Sequence, residues 1–495
     1  MQSEKIIWLK LRHAACLLFL TLSITGCSYT RDLTVLSRRQ AIADLDYLVK
    51  NLKAIHPDPF TRISEEQFDT QVQQIKANLG DKTHRKDFSL LIAELLALIC
   101  DDHTKYEYQL SDLYAYLHSG GKIFPLTFRF NNSQMVVDQW AKNFEPQNLK
   151  KEDVMVAING TPMESLLKRY GKYISAETDL QKNWSLEKWM YYFLWLTEEE
   201  QEWFELKLQN SEGGEYIERI PAVKYSIKKN KRDKEKRLFS FSFYMENKVC
   251  ILKARSFQTL SDYVTGKKKV WQMWVDTLNN LFAEMTEKGT SVLIVDLRGN
   301  GGGNGALPAE LIKRTAKKPY KEYSKKWRYS KAYQKACLIW GLRQRGIPAW
   351  LHLENRLDLR NYMWGPEPSQ LQGEYFITQH GITDSTVMYN PWMGNLVILT
   401  DHYTSSASVW MAAIIKDNEL GVIAGEETGG RASFFGDIAP VCLPYSGLSC
   451  QISSSYSERP AGYDDDRGVL PDLPLDVMLE DSILVEKIYN HIKTN

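Results

Sequence analysis

The chain has 495 residues, of which 43% are hydrophobic and 25% are charged. Its 62 basic and 61 acidic side chains leave a formal charge of +1, which excludes a surface built to attract nucleic acid through a strong positive field. This length is enough for two to four domains with apolar cores of their own.

The N-terminus predicts export from the cytoplasm. Basic residues precede a short apolar run, Ala14 to Leu22, and small residues follow it just before Cys27. This order is typical of a secretory signal peptide over residues 1–26, and the run is too short to span a bilayer permanently. Ile-Thr-Gly-Cys also resembles a bacterial lipobox, although an ordinary signal peptide containing a cysteine remains the alternative.

The lipobox resemblance implies cleavage before Cys27 and attachment of diacylglycerol to its sulfur. Ser28 follows in place of aspartate, which implies the outer membrane under the enterobacterial sorting pattern. We therefore expect a cell-envelope protein, lipid-anchored and facing the periplasm.

The chain contains seven cysteines. Of the seven, five lie beyond Cys27, an odd number in a compartment that permits disulfides. Cys442 and Cys450 flank a turn-like Pro-Tyr-Ser-Gly and are the pair we expect to bond. The sequence contains no CxxC pair or HExxH helix, so it predicts no metal site and no cofactor.

Residues 27–110 are predicted to form a helical layer. Apolar residues recur at helical spacing on both sides of the turn His-Pro-Asp-Pro that begins at His56. The layer ends in Asp-Asp-His-Thr, which contains His103. A histidine after a helix is usually a surface or capping residue, but it is also the side chain best suited to act as a base near neutral pH.

Residues 115–225 are predicted to be a β-rich module. A polar turn leads into the short strand Val154 to Ile158, an Asn-Gly turn and a helix. This stretch resembles a PDZ domain, which implies binding of an extended peptide by strand addition. The aromatic segment Trp184 to Phe204 departs from that pattern, so a degenerate packing module is the alternative.

Residues 238–480 are predicted to be an α/β core, followed by a C-terminal helix over 481–495. The strand Val249 to Leu252, the helix Tyr263 to Met285 and the apolar strand Ser291 to Leu297 alternate as parallel crossovers require. A glycine cluster, Gly-Asn-Gly-Gly-Gly, follows Arg298 and is either a flexible turn or a backbone surface for a ligand. The insertion 317–392 is either a lid over a cleft or a packed surface segment.

A second turn carries the candidate nucleophile. The apolar strand from Leu396 leads through a polar turn into the helical segment from Val409 to Ile415, which places Ser406 at a helix start. A serine there usually caps the helix. It can also present its hydroxyl as a nucleophile, with the N–H of Ala407 able to hold an oxyanion.

Three motifs together resemble the tail-specific, or C-terminal-processing, serine peptidases. They are Asp-Leu-Arg-Gly-Asn-Gly-Gly-Gly from Asp296, Ser-Ser-Ala-Ser from Ser405, and Gly-Glu-Glu-Thr-Gly-Gly from Gly425. The Asp-x-His-Thr around His103 and the late Asp-Arg-Gly-Val-Leu-Pro-Asp from Asp466 are similar to the tricorn-core branch. The resemblance implies a multidomain α/β protein with a crotonase-like ββα peptidase core.

The resemblance also implies roles for individual residues. Ser406 would be the nucleophile, His103 its base, and Asp465, within the run 464–466, the acid that orients the histidine. The position of the lysine in Ser/Lys members is Arg431, which stays protonated and cannot act as the base. The oxyanion would be held by the N–H of Ala407 and that of Gly301 or Gly302.

These inferences predict a serine endopeptidase that acts on unfolded or C-terminal peptide segments. The alternative is a catalytically inactive lipoprotein that binds a peptide or a hydrophobic ligand, because interphotoreceptor retinoid-binding protein reuses the same fold. The presence of Ser406, His103 and a nearby acid favours the enzyme.

Overall fold

The computed structural model describes residues 35–494 except for 109, 132–133, 142, 199, 225–237, 260–267, 329, 345–374, 379–381, 384–390 and 464. The predicted signal peptide, Cys27 and Asp464 lie outside the described residues, as does much of the insertion 317–392. The described chain is a mixed α/β structure, which confirms the predicted fold class.

The N-terminal layer is mostly helical. Ser37 and Ser64 begin its first two helices, and each takes part in a reciprocal capping box with the glutamine three residues later. The layer comprises β1 Val35–Ser37, α1 Arg38–Ile55, α2 Glu65–Asn78, β2 Lys82–His84, α3 Arg85–Ala97, β3 Lys105–Tyr106 and α4 Leu110–His118. The turn that holds His103 therefore lies between α3 and β3.

The middle module contains an antiparallel sheet with strand order β10-β9-β7-β6-β5. Its apolar core is rich in aromatic rings, many of them from its long second helix. The elements are β4 Lys122–Ile123, β5 Leu126–Asn131, β6 Gln134–Trp140, β7 Val154–Ile158, β8 Thr161–Pro162, α5 Met163–Gly171, α6 Asp179–Thr197, β9 Trp203–Gln209, β10 Glu215–Pro221 and β11 Val223–Lys224.

The β5 edge of this sheet is already occupied in part. Helix α6 packs against β5, and the carboxylate of Glu187 accepts a hydrogen bond from the N–H of Phe130 in that strand. Peptide binding by strand addition needs free backbone groups along an edge strand. A peptide that joined β5 would therefore have to displace Glu187.

The core contains a six-stranded sheet in which most neighbouring strands are parallel. Its sheet has the order β12-β13-β14-β19-β20-β23, in which β12 is antiparallel and the other pairs are parallel. The elements from the core onward are β12 Phe239–Tyr244, β13 Val249–Ala254, α7 Lys269–Lys288, β14 Val292–Asp296, α8 Ala306–Thr315, β15 Tyr320–Lys321, β16 Ser324–Arg328, α9 Lys331–Gln344, β17 Tyr375–Thr378, β18 Ile382–Thr383, β19 Asn395–Thr400, α10 Ala407–Asp417, β20 Val422–Gly425, β21 Phe434–Cys442, β22 Ser449–Glu458, β23 Leu473–Pro474 and α11 Asp481–Thr494.

Both faces of this sheet are buried, as the apolar run of β14 predicts. Leu293 and Val295 pack with α7, α8 and α10 on one face. Val292 and Ile294 pack with the C-terminal helix α11 on the other. A strand covered on both sides is apolar throughout, because neither alternate set of side chains meets water.

A second sheet, β17-β16-β22-β21, joins the N-terminal layer to the core. Strand β3 adds to β22, and the apolar side chains of α1 and α3 pack with those of β21 and β22. Because the turn with His103 directly precedes β3, this pairing brings the histidine to the core.

The predicted bond between Cys442 and Cys450 is wrong. In the β21–β22 hairpin, Cys442 is opposite Ser449 and Cys450 is opposite Val441. Neighbouring residues of a strand point to opposite faces, so the two sulfurs lie on different sides of the hairpin. No disulfide joins them.

Within the described part of the chain, no helix has both the length and the apolar character needed to cross a membrane.

Candidate active site

The turn between β19 and α10 holds Ser406 in an unusual backbone conformation. Its φ is 54° and its ψ is −123°, a region that is costly for a residue with a side chain. The hydroxyl makes no capping hydrogen bond to the helix. The capping interpretation is therefore wrong for Ser406, and the strained turn leaves its Oγ available for another role.

Ser406 and His103 meet across the module boundary. The Nε2 of His103 lies 3.1 Å from the Oγ of Ser406, although the two residues are 303 positions apart. The histidine side chain is 12% exposed, and its ring stacks on Phe434 at a centroid distance of 6.0 Å. This is the contact that a base needs to remove the proton of a serine hydroxyl.

The glycine loop after β14 is bound tightly to the serine turn. The N–H of Gly299 donates to Asp401 at 2.9 Å, and the N–H of Ser405 donates to the carbonyl of Asn300 at 3.2 Å. A Cβ on Gly302 would lie 2.7 Å from the nitrogen of Ala407. Only glycine permits this approach, and Gly302 also has a φ of +91°.

The predicted oxyanion donors are only partly supported by this geometry. The N–H of Gly302 donates to the side-chain oxygen of Asn300 at 2.9 Å, so the role predicted for Gly302 is wrong. Ala407 is the first residue of α10, where a backbone N–H has no partner within the helix. The N–H of Gly301 therefore stays the second predicted donor. A Cβ on Gly301 would lie 3.6 Å from the ring of Trp184.

The structure does not place Asp465 beside the histidine. Its carboxylate is exposed and lies 3.6 Å from the guanidinium of Arg459. The next acid, Asp466, is bonded to Arg62 at 2.9 Å and is paired with Arg431. The predicted contact of Asp465 with His103 is therefore wrong, because the carboxylate of Asp465 is directed toward Arg459.

Two other acids surround His103. One polar atom from each of Asp101, His103 and Glu177 lies within 4.8 Å of the others, a grouping that could also hold a metal ion. The Nδ1 of His103 and the Oε1 of Glu177 are both buried and make no hydrogen bond. The sequence does not identify these two acids as site residues, because Asp101 lies in a segment typical of a turn and Glu177 belongs to no motif.

Asp101 is held as an anion by a buried network. Its carboxylate accepts hydrogen bonds from the Nε2 of His56 at 3.2 Å, Ser453 at 2.6 Å and the backbone N–H of His103 at 2.8 Å. The N–H of Asp58 donates to the Nδ1 of His56, which fixes the proton on Nε2. Burial alone would raise the pKa of Asp101, but the hydrogen bonds from His56 and Ser453 help to bring it well below the usual range.

Glu177 has the opposite electrostatic character. Burial, followed by the negative charges of Asp101 and Asp102, raises the pKa of Glu177 well above its ordinary value. The charge and backbone N–H of Arg431 oppose this effect. Two acids near one imidazole thus differ in proton affinity, as expected for neighbouring carboxyl groups of which one is fully hydrogen-bonded.

The middle module contributes directly to the site. The hydroxyl of Tyr403 donates to Glu187 at 2.6 Å, and that of Thr178 donates to the carbonyl of Gly429 at 2.5 Å. The backbone N–H of Arg431 lies 3.3 Å from Glu177. Helix α6 and the loop before it therefore contact the turn that precedes Ser406 and the loop that holds Gly429 and Arg431.

A serine on a strained strand-to-helix turn, in contact with a partly buried histidine, defines the site of a serine hydrolase. Residues 248–475 match peptidase family S41. Residues 248–475 therefore form a domain that matches the S41 peptidases, and the protein is a serine peptidase.

The chain matches several solved structures, one of them with a TM-score above 0.5 among those given below. The fold is similar to mature CPAF complexed with lactacystin, with 14% identity, coverage of 92% of this chain and 97% of that chain, and a TM-score of 0.61. The photosystem II D1 C-terminal processing protease matches at 17% identity over 88% of this chain and 93% of its own, with a TM-score of 0.42. The tricorn protease matches at 14% identity over 92% of this chain and 37% of its own, with a TM-score of 0.34.

At this level of identity, the likeness to CPAF establishes a shared fold and nothing about substrates. No curated protein sequence matches the chain.

Proposed function

We propose that this protein is a cell-envelope serine endopeptidase that cleaves unfolded or C-terminal peptide segments, with Ser406 as nucleophile and His103 as base. The observation that carries the proposal is the 3.1 Å contact between the Nε2 of His103 and the Oγ of Ser406. The strained φ of 54° at Ser406 supports it, because such strain is typical of residues presented for chemistry.

The reaction would proceed in two halves. His103 removes the proton of Ser406 as its Oγ forms a bond to the peptide carbonyl carbon, and the imidazolium then protonates the departing amine. Water attacks the resulting acyl-enzyme with the same histidine as base. The final proton transfer returns the hydrogen to Ser406.

The developing oxyanion would be bound by the N–H of Ala407 and that of Gly301. The hydrogen bonds from Gly299 to Asp401 and from Ser405 to Asn300 support this proposal, because they tie the glycine loop to the turn of Ser406. Preorganised donors of this kind are each worth about 3 kcal/mol in comparable enzymes. Arg431 would not take part in proton transfer, because its guanidinium stays protonated and is paired with Asp466.

The envelope location is proposed from the sequence alone. The signal-like N-terminus and the lipobox-like Ile-Thr-Gly-Cys support an anchor at Cys27. A lipid anchor there would keep the peptidase at a membrane surface on the side where exported proteins fold.

The test is labelling by a serine-reactive fluorophosphonate. The full mature chain should be labelled at Ser406, and the Ser406→Ala variant should not. As a matched control, Ser111→Ala changes an exposed serine at the start of α4 and should label as the wild type does. Equal labelling of wild type and Ser406→Ala would contradict the proposal.

A further inference from the structure

The Nδ1 of His103 needs a hydrogen-bond acceptor. When Nε2 takes the serine proton, Nδ1 must already carry its own hydrogen, and the group that accepts that hydrogen fixes the tautomer and the orientation of the ring. Nδ1 is buried and has no hydrogen bond in the structure. An unpaired buried donor is costly, so an acceptor close to it is expected.

Asp101 is the nearer acid, but it is already engaged. Its Oδ1 lies 3.9 Å from Nδ1, beyond hydrogen-bond distance, and accepts the backbone N–H of His103 instead. Its Oδ2 accepts from both His56 and Ser453. Asp101 therefore supplies a fixed negative charge beside the ring without binding its N–H.

Glu177 has the free acceptor. Its Oε1 is buried and unpaired. One carboxylate oxygen of Glu177 lies within 4.8 Å of a ring nitrogen of His103 and of a carboxylate oxygen of Asp101. Its Oε2 is held by the backbone N–H of Arg431 at 3.3 Å. A hydrogen bond between the Nδ1 of His103 and the Oε1 of Glu177 would satisfy two buried atoms that are both without a partner.

We propose that Glu177 is the positioning residue for the base: its Oε1 accepts the Nδ1 hydrogen of His103, in the role that the sequence assigns to Asp465. The inference rests on the proposed function. No proton leaves Nδ1 during the reaction, because Glu177 only orients the ring and stabilises the imidazolium. The middle module thus supplies part of the catalytic machinery.

The pH dependence follows from the groups that face Glu177, which are Asp101, Asp102, His103 and Arg431. Because the pKa of Glu177 is raised, the side chain is neutral at low pH and gains its charge only as pH rises. A neutral glutamic acid resembles glutamine in charge and shape. The advantage of wild type over Glu177→Gln should therefore grow with pH.

The experiment compares kcat and KM of Glu177→Gln, Glu177→Asp and Asp465→Asn with wild type on a fluorogenic peptide between pH 5.5 and 9. We expect Glu177→Gln to lower kcat by about 10- to 100-fold at the upper end of this pH range. This loss is smaller than the loss caused by removing the acid of other catalytic triads, because the carboxylate of Asp101 stays charged. KM should change by less than about twofold. Glu177→Asp should recover part of the rate.

Glu198→Gln is the matched control, because Glu198 is an acid at the far end of α6 whose partner is Arg169. It should behave as wild type. Unchanged kcat in Glu177→Gln, a pH-independent loss, or a large loss in Asp465→Asn alone would overturn the assignment. Should Glu177→Gln fail to fold, full activity in a folded Glu177→Asp with no change in pH profile would overturn it too.

Fluorophosphonate labelling distinguishes a wrong role for Glu177 from a wrong assignment of the whole protein as a peptidase. A wild-type chain that fluorophosphonate does not label is not the proposed peptidase. A labelled wild type whose labelling rate is unchanged in Glu177→Gln is a peptidase in which Glu177 does not position the base.

Discussion

At the residue scale, the site depends on two side chains brought together by tertiary structure. The hydroxyl of Ser406 has no partner in its own helix and meets the imidazole of His103. Neither residue can perform the proposed chemistry alone, because a serine hydroxyl is a weak nucleophile without a base.

Single and double substitutions test this dependence. Ser406→Ala and His103→Ala should each lower kcat/KM by about 10⁴-fold or more, and the double variant should be no worse than either, because nucleophile and base act as one unit. Steady-state hydrolysis of a fluorogenic peptide measures the three values. A His103→Ala enzyme with near-normal activity would show that another group is the base.

A second histidine should contribute to stability in a pH-dependent way. His402 lies 2.8 Å from Glu426. Burial would lower the pKa of His402, but Glu426, with Glu187 and Asp401, raises it overall. A raised pKa in the folded state stabilises the fold fully below the unfolded value of about 6.5, and this stabilisation is lost as pH rises through the folded pKa.

Glu426→Gln should therefore lower Tm more at pH 6 than at pH 9. The difference should be small, about 1–2 °C, because the Glu426 carboxylate is 38% exposed and solvent weakens the pair. Differential scanning fluorimetry at both pH values measures it. Glu419→Gln, which changes an acid that is 89% exposed, is the control and should alter Tm at neither pH. Equal losses at both pH values would contradict the ion-pair interpretation.

At the scale of elements, the site lies where two parallel strands end. Strands β14 and β19 are neighbours, so the glycine loop after one and the serine turn after the other meet at the same edge of the sheet. In sheets of this type, ligands bind at the carboxyl ends of the strands. The close contact of Gly302 with Ala407 joins the two loops.

Gly302→Ala tests that contact. The new Cβ would lie 2.7 Å from three atoms of the serine turn, at a φ of +91° that alanine adopts only with strain. We expect kcat to fall by about 10²-fold, because a shift of about 1 Å at a catalytic centre has effects of this size. Gly305→Ala in the same loop meets nothing within 4 Å and should be nearly neutral. Similar kcat values for the two variants would show that the loop is not held as closely as described.

At the scale of the whole molecule, three regions meet at the candidate active site. The N-terminal layer supplies His103, the middle module supplies Glu177, and the core supplies Ser406. The aromatic core of the middle module and its hydrogen bonds to the serine turn make it part of the enzyme. A peptide that added to the β5 edge of this module would have to displace Glu187, which accepts the N–H of Phe130 there.

The proposed anchor also belongs to this scale. Cys27→Ser should move the full-length protein from the membrane fraction to the soluble fraction, because the thiol that carries the lipid is lost. Fractionation with immunoblotting measures the change. Cys100→Ser, which alters an exposed cysteine in the described part of the chain, should leave the protein in the membrane fraction. Unchanged membrane partitioning of Cys27→Ser would contradict lipid anchoring there.

The sequence alone determined the features that depend on local chemistry. Apolar runs predicted the strands of the core, a glycine cluster marked the loop after β14, and the Ser-Ala-Ser motif marked the turn with Ser406. The position of the catalytic lysine in Ser/Lys peptidases is occupied here by Arg431. Because arginine does not lose its proton, that position cannot supply the base. These features need no knowledge of distant contacts.

Only the tertiary structure decided which groups meet. Glu177 and Arg431 are 254 positions apart, and no periodicity or motif relates them. Asp465 matched the family motif by position, but its side chain is directed to Arg459. The N–H of Gly302 was taken by Asn300, and the hairpin register kept Cys442 from Cys450. Each outcome depends on the direction in which a side chain points in the folded protein. That direction is set by packing between modules, and the spacing of residues along the chain does not reveal it.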